Sequence, residues 1–170
     1  MDESYEDFKA KNPHLKDFLP YIERLGKESD RGRVLISTGY IEQLLKDVLQ
    51  AYFIEGNSAN SLFDEGALAT FSSRAHLCHA LGLISDDEYH DIQLIRKIRN
   101  HLAHKMHSSF EDSQVIDRCK LLLLKAHDYG EVVTSPSGQF QTAAVSVLSR
   151  LVNRAQYVSE KRISYGNWLH

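Results

Sequence analysis

The chain has 170 residues, 42% hydrophobic and 25% charged, with 9 glycines and 3 prolines. That composition excludes a fibrous or disordered chain and suits one domain large enough to bury roughly two-thirds of its unfolded surface. A net charge of −3 gives no global attraction to nucleic acid or to a membrane surface, so any such contact needs a local basic patch. No apolar stretch reaches the roughly 18 residues a bilayer demands. The opening MDESYEDFKAK is acidic and polar, unlike a secretory signal, which points to a cytoplasmic protein with no membrane partner.

In chain order the pattern is helical nearly throughout. Residues 14–28 form an amphipathic segment interrupted by Pro20, read as a kinked helix or two short ones. Over residues 31–54, Ile41, Leu44, Leu45, Val48, Leu49 and Tyr52 recur at three- and four-residue steps and predict a long helix. Within it Glu42 is read as solvent-facing, the alternative being a half-buried partner for Arg99 or Arg74. The Gly, Asn and Ser content of EGNSANS, residues 55–61, predicts a loop. A further helix is expected over 67–82, ending at Gly82 as its C-cap.

Ser85-Asp86-Asp87-Glu88 matches a capping box and opens the next helix, which carries Ile92, Ile95, Ile98 and Leu102 on one face to about Met106. After the polar break HSSFEDS, a helix is expected over about 113–128, holding Ile116, Cys119, Leu122 and Leu123. EVVTSPSG reads as a loop. The last helix, about 139–160, places Phe140, Ala144, Val147, Leu148, Leu151, Ala155 and Val158 in register. Residues 1–13 and 164–170 are irregular, and Cys78 and Cys119 read as buried free thiols. The expected architecture is all-α: a single domain, residues 1–170, folded as an up-down antiparallel helical bundle with short connections.

The chemistry concentrates at Arg99-Asn100-His101-Leu102-Ala103-His104, inside IRKIRNHLAHKM. On a helix Asn100 and His104 are four apart and share a face, while Arg99 and His104 are five apart, about 140° around the axis. Two copies meeting about a two-fold axis would let both arginines and both histidines converge on one cleft. Arginine binds phosphate bidentately, and histidine titrates near neutral pH and moves a proton. The same residues also serve as a polar seam, with Asn100 and His104 hydrogen-bonded in the bundle and Arg99 paired to an acidic neighbour.

Other groupings carry less. His101, His104 and His107 form an H-x-x-H-x-x-H series, and His76 and His79 a second pair, yet no Asp, Glu or Cys is placed to complete a zinc site. They read as surface or capping histidines, with no metal and no cofactor expected. There is no glycine-rich phosphate loop and no Gly-x-Ser-x-Gly elbow. No helix-turn-helix with a basic recognition helix is evident; GKESDRGR and IRKIRN are the densest basic stretches.

The Arg-Asn-x-x-x-His pattern resembles the signature of the HEPN superfamily, whose active members are often metal-independent endoribonucleases working as dimers. More of the chain resembles the mannitol operon repressor family, through DRGRVLISTGYIEQLLKDVLQAYF, LFDEGALATFSSRAHLCHALGLISDDEYHDIQLIRKIRNHLAH and SSFEDSQVIDRC, spanning residues 30–119. That resemblance implies a HEPN-like bundle that regulates mannitol uptake and utilisation genes through a protein partner or effector. The wider superfamily implies the alternative: a homodimeric nuclease acting on RNA, with Arg99 and His104 catalytic, Asn100 orienting them, and a 2′,3′-cyclic phosphate left behind. The tyrosine that some toxin members carry two residues after the histidine is absent, since Lys105-Met106 follow His104.

Overall fold

The computed structural model describes residues 18–25, 27–104, 108–127 and 131–168, and within them every regular element is helical. They run α1 Phe18–Leu25, α2 Asp30–Tyr52, α3 Asn57–Asp64, α4 Phe71–Ala80, α5 Asp86–His104, α6 Ser113–Lys120, α7 Glu131–Thr134, α8 Pro136–Leu151 and α9 Arg154–Ser159. The all-α expectation stands. Residues 1–13 lie outside the described segments.

The organising element is α2, which packs against α4, α5, α8 and α9. Ser29 starts it, its hydroxyl accepting the Gly32 N–H at 3.1 Å. Its buried Val34, Ile41, Leu44, Leu45, Val48 and Leu49 interleave with Ile92, Ile95, Ile98 and Leu102 of α5 and with Phe140, Val147, Leu148 and Leu151 of α8 in one continuous core. Tyr21 of α1 donates its hydroxyl to the buried Ser37 at 3.0 Å, tying the first helix on. Burial there pushes the Tyr21 phenol up to about 12.

The α4–α5 junction is built as its sequence promised. Gly82 takes φ +68°, its N–H reaches the His79 carbonyl at 2.9 Å, and the Leu83 N–H reaches the Cys78 carbonyl at 2.8 Å. That paired closure is a Schellman motif, and its left-handed residue favours glycine. Three residues on, the Ser85 N–H donates to Glu88 Oε2 at 2.8 Å and the Glu88 N–H to Ser85 Oγ at 3.2 Å.

Elsewhere the chain departs from its periodicity. The expected loop at 55–61 contains the start of α3, and the helix expected over 67–82 begins only at Phe71, capped by Thr70. Between them Gly66 is required: a Cβ there would sit 2.7 Å from the Leu62 Cα and the Ser61 carbonyl oxygen. The helix expected over 113–128 stops at Lys120, because the fully buried Asp91 of α5 draws the chain inward. Its two carboxylate oxygens accept the Leu123 and Leu124 N–H groups at 2.8 and 2.9 Å. EVVTSPSG is not a loop throughout, since α7 occupies Glu131–Thr134 and Ser135 caps α8 with Pro136 in its first turn. The last helix divides at Val152-Asn153, and α9 turns onto α2. The chain then continues without regular structure, its Ile163 N–H bonded to the Tyr52 carbonyl at 2.9 Å.

Both cysteines are free and fully buried, and burial pushes each thiol up to about 12. No helix among the described residues is long and apolar enough to cross a membrane.

Candidate functional site

On α5, Arg96, Arg99 and Asn100 stand at i, i+3 and i+4 and share one face. Opposite them α4 begins at Phe71 and Ser72, just after its Thr70 cap, and α2 contributes Glu42. Together these residues line a polar cleft of about 300 Å³.

Arg74 stands outside the lining and organises the residues around it. Arg74 is 9% exposed, and its guanidinium donates from Nε to the Leu68 carbonyl at 2.8 Å and from Nη2 to the Phe63 and Ala69 carbonyls at 3.4 Å. It thereby satisfies the turn that carries the chain from α3 into α4. Its Nη1 reaches Glu42 Oε1 at 3.5 Å, while Glu42 Oε2 faces Arg99 Nη2 at 3.9 Å. The reading of Glu42 as solvent-facing is therefore corrected: its side chain is 25% exposed and shared between two arginines. A carboxylate on the apolar side of a helix lowers its desolvation cost by such pairing.

Arg99 also donates from Nη1 to Asn100 Oδ1 at 3.1 Å. Arg96 is engaged differently. Its Nε and Nη2 donate to Gln93 Oε1 at 3.2 and 3.1 Å, a neutral amide, and among the described residues no carboxylate pairs with it.

The cleft brings Arg99 and Asn100 together but leaves out His104, the exposed last residue of α5. Five residues on a helix place the imidazole well round the axis from the guanidinium. The neighbouring His101 is the more enclosed histidine, its side chain 7% exposed and its Nε2 2.9 Å from Asp112 Oδ2. His107 of the histidine series lies outside the described residues. His76 Nδ1 lies 2.6 Å from the Ser72 carbonyl oxygen, whereas His79 Nε2 lies 2.7 Å from Asp86 Oδ1 and stacks on Tyr89. Among the described residues no group of three or more His, Cys, Asp or Glu side chains is gathered to hold a metal ion.

Arg74 was named from the sequence only as an alternative partner for Glu42, a pairing that forms, and Arg96 was not singled out. Arg96 was legible in principle, since IRKIRN places two arginines three apart on one helical face. The role of Arg74 depends on carbonyls of a turn that no local pattern foretells.

Comparison with known proteins adds two findings. The family model described as MtlR, Mannitol repressor, matches residues 23–154, a span that holds the whole cleft. Among solved structures, a chain of the X-ray structure of the MtlR-HPr complex from Escherichia coli has a similar fold, with a TM-score of 0.55. The two are 19% identical over 82% of this chain and 96% of that one. No curated protein matches the chain.

Proposed function

The chain belongs to the mannitol repressor family, and from that premise we propose that it regulates mannitol-utilisation genes by binding a protein partner rather than by reading DNA itself. The observation that carries this reading is the likeness, over nearly the whole length of the solved chain, to a protein crystallised as a complex with HPr. The partner we assign is accordingly a protein of the HPr type.

Electrostatics favour the same reading. The tight junction between α4 and α5 is the place where a helix-turn-helix would present its reading helix by the N-terminus. Here that N-terminus carries Asp86, Asp87 and Glu88. The two exposed carboxylates, Asp86 and Asp87, repel a phosphate backbone and stabilise their own helix instead, while Glu88 is buried against Arg154.

The test is binding of purified HPr to the full chain, followed by calorimetry and by co-elution in size-exclusion chromatography. A saturable one-to-one isotherm is expected. No heat and no shift in elution at 100-fold the concentration of the chain would overturn the partner, and tight sequence-specific binding of operator DNA by the isolated chain would overturn the mode of action.

A further inference from the structure

We infer that the cleft between α2, α4 and α5 is a binding site for a small phosphate-bearing anion, held by the guanidinium groups of Arg96 and Arg99. This goes beyond the partner-binding reading, since a cleft of about 300 Å³ takes a small ligand and not a protein surface.

The first argument is charge. Arg96 and Arg99 line the cleft and Arg74 lies behind it, whereas its lining holds a single carboxylate, that of Glu42. Glu42 is itself drawn to Arg74 and Arg99, so the cleft retains net positive charge. A partly enclosed site of one sign concentrates ions of the other.

The second argument is donor count. A guanidinium carries five N–H donors and no acceptor. Arg96 spends Nε–H and one Nη2–H on a neutral amide, and Arg99 spends one Nη1–H on Asn100. The remaining donors match the several acceptor oxygens of a phosphate, which planar forked groups bind in pairs. A carboxylate offers only two oxygens and would leave more of them unused.

The surroundings complete the fit. Ser72 and Asn100 belong to the same lining, the Ser72 hydroxyl lying 3.4 Å from His76 Nδ1 and the Asn100 Oδ1 accepting from Arg99. Thr70 Oγ1 satisfies only the Ser73 N–H in the first turn of α4, so the positive end of that helix adds to the two arginines. His104 does not line the cleft, and no other histidine does. The site therefore binds a phosphate and lacks an imidazole to move a proton on it.

The experiment is calorimetric titration of the full chain with inorganic phosphate and with glycerol 3-phosphate, at constant ionic strength and with chloride as control. Both are expected to bind at one site. Arg96→Gln and Arg99→Gln each weaken binding about tenfold or more, and Arg150→Gln, an exposed residue of α8, leaves it unchanged. Should Arg99→Gln unfold, for want of its contact with Glu42, Arg96→Gln still decides, because among the described residues that side chain is bonded only within its own helix. Absence of phosphate binding, equal affinity in every variant, or binding of single-stranded RNA without binding of either phosphate would each overturn the proposal.

Discussion

Glu88 of α5 and Arg154 of α9 form a two-pronged ion pair, Nη2 to Oε1 at 2.8 Å and Nη1 to Oε2 at 3.3 Å. The carboxylate is 2% exposed, and the same Oε2 closes the capping box on the Ser85 N–H. Arg154 Nη1 also donates to the Leu83 carbonyl at 2.7 Å. One residue pair thus fastens the α4–α5 junction to the C-terminal helix, 66 positions away in sequence.

Removing one partner leaves the other charge buried. Arg154→Met is expected to cost about 3–5 kcal/mol, as breaking a buried pair does, and to lower the melting temperature by about 6–20 °C for a chain of this size. Urea denaturation measures the first and a thermal scan the second. A loss below about 1 kcal/mol would show that water reaches Glu88 and relieves it.

Asp91 makes a separable case. Both of its oxygens accept backbone N–H groups, from Leu123 and Leu124, and no counter-ion is needed because those donors hold the charge. Asp91→Asn turns one acceptor into a donor that faces an N–H. The expected loss is about 1–3 kcal/mol, with amide exchange at Leu123 and Leu124 accelerated ahead of the rest of the core. Uniform acceleration across α2 and α5 would contradict a local role.

The buried thiols set an alkaline limit. Cys78 and Cys119 are raised from 9.0 to about 12, with burial as the largest cause. Below pH 9 both states keep these protons and the thiols add no slope. Above it the unfolded chain ionises while the folded one does not, so stability falls as pH rises from about 9 towards about 12. The slope is about 1.4 kcal/mol per pH unit for each thiol. Denaturation midpoints between pH 8 and 10.5 measure it, against a Cys78→Ala, Cys119→Ala variant whose slope must be shallower. Equal slopes would mean that the thiols are not the cause.

How much of this was legible in the sequence follows from how local each cause is. The Ser85–Glu88 box and the Gly82 terminus involve partners within five residues, and both formed as read. The apolar period also identified the core faces of α2, α5 and α8. It failed where it ran on through a break: Leu151, Ala155 and Val158 keep their spacing across Asn153, yet α8 ends at Leu151. Nothing near Lys120 announces that its helix stops, because the cause is Asp91, some 30 residues earlier. The cleft divides the same way. Arg99 and Asn100 were found by spacing, whereas Arg74, Arg96 and the shared Glu42 matter only once three helices meet.

That geometry bears on the ribonuclease alternative. Transesterification needs a group to take the 2′-hydroxyl proton and another to protonate the leaving oxygen, both within hydrogen-bond reach of one phosphate. Arg99 is held toward Glu42 and Asn100 in the cleft, while His104 stands exposed outside its lining. The guanidinium and the imidazole thus stand on different parts of one helix. Incubating RNA with the chain in EDTA is therefore expected to leave it intact, and Arg99→Ala and His104→Ala to behave identically in that assay. Cleavage by the natural chain that both variants abolish, with 2′,3′-cyclic phosphate ends, would reverse this expectation. It would also require a second copy of the chain to carry His104 across to the arginine, which sedimentation of the active species would reveal as a dimer.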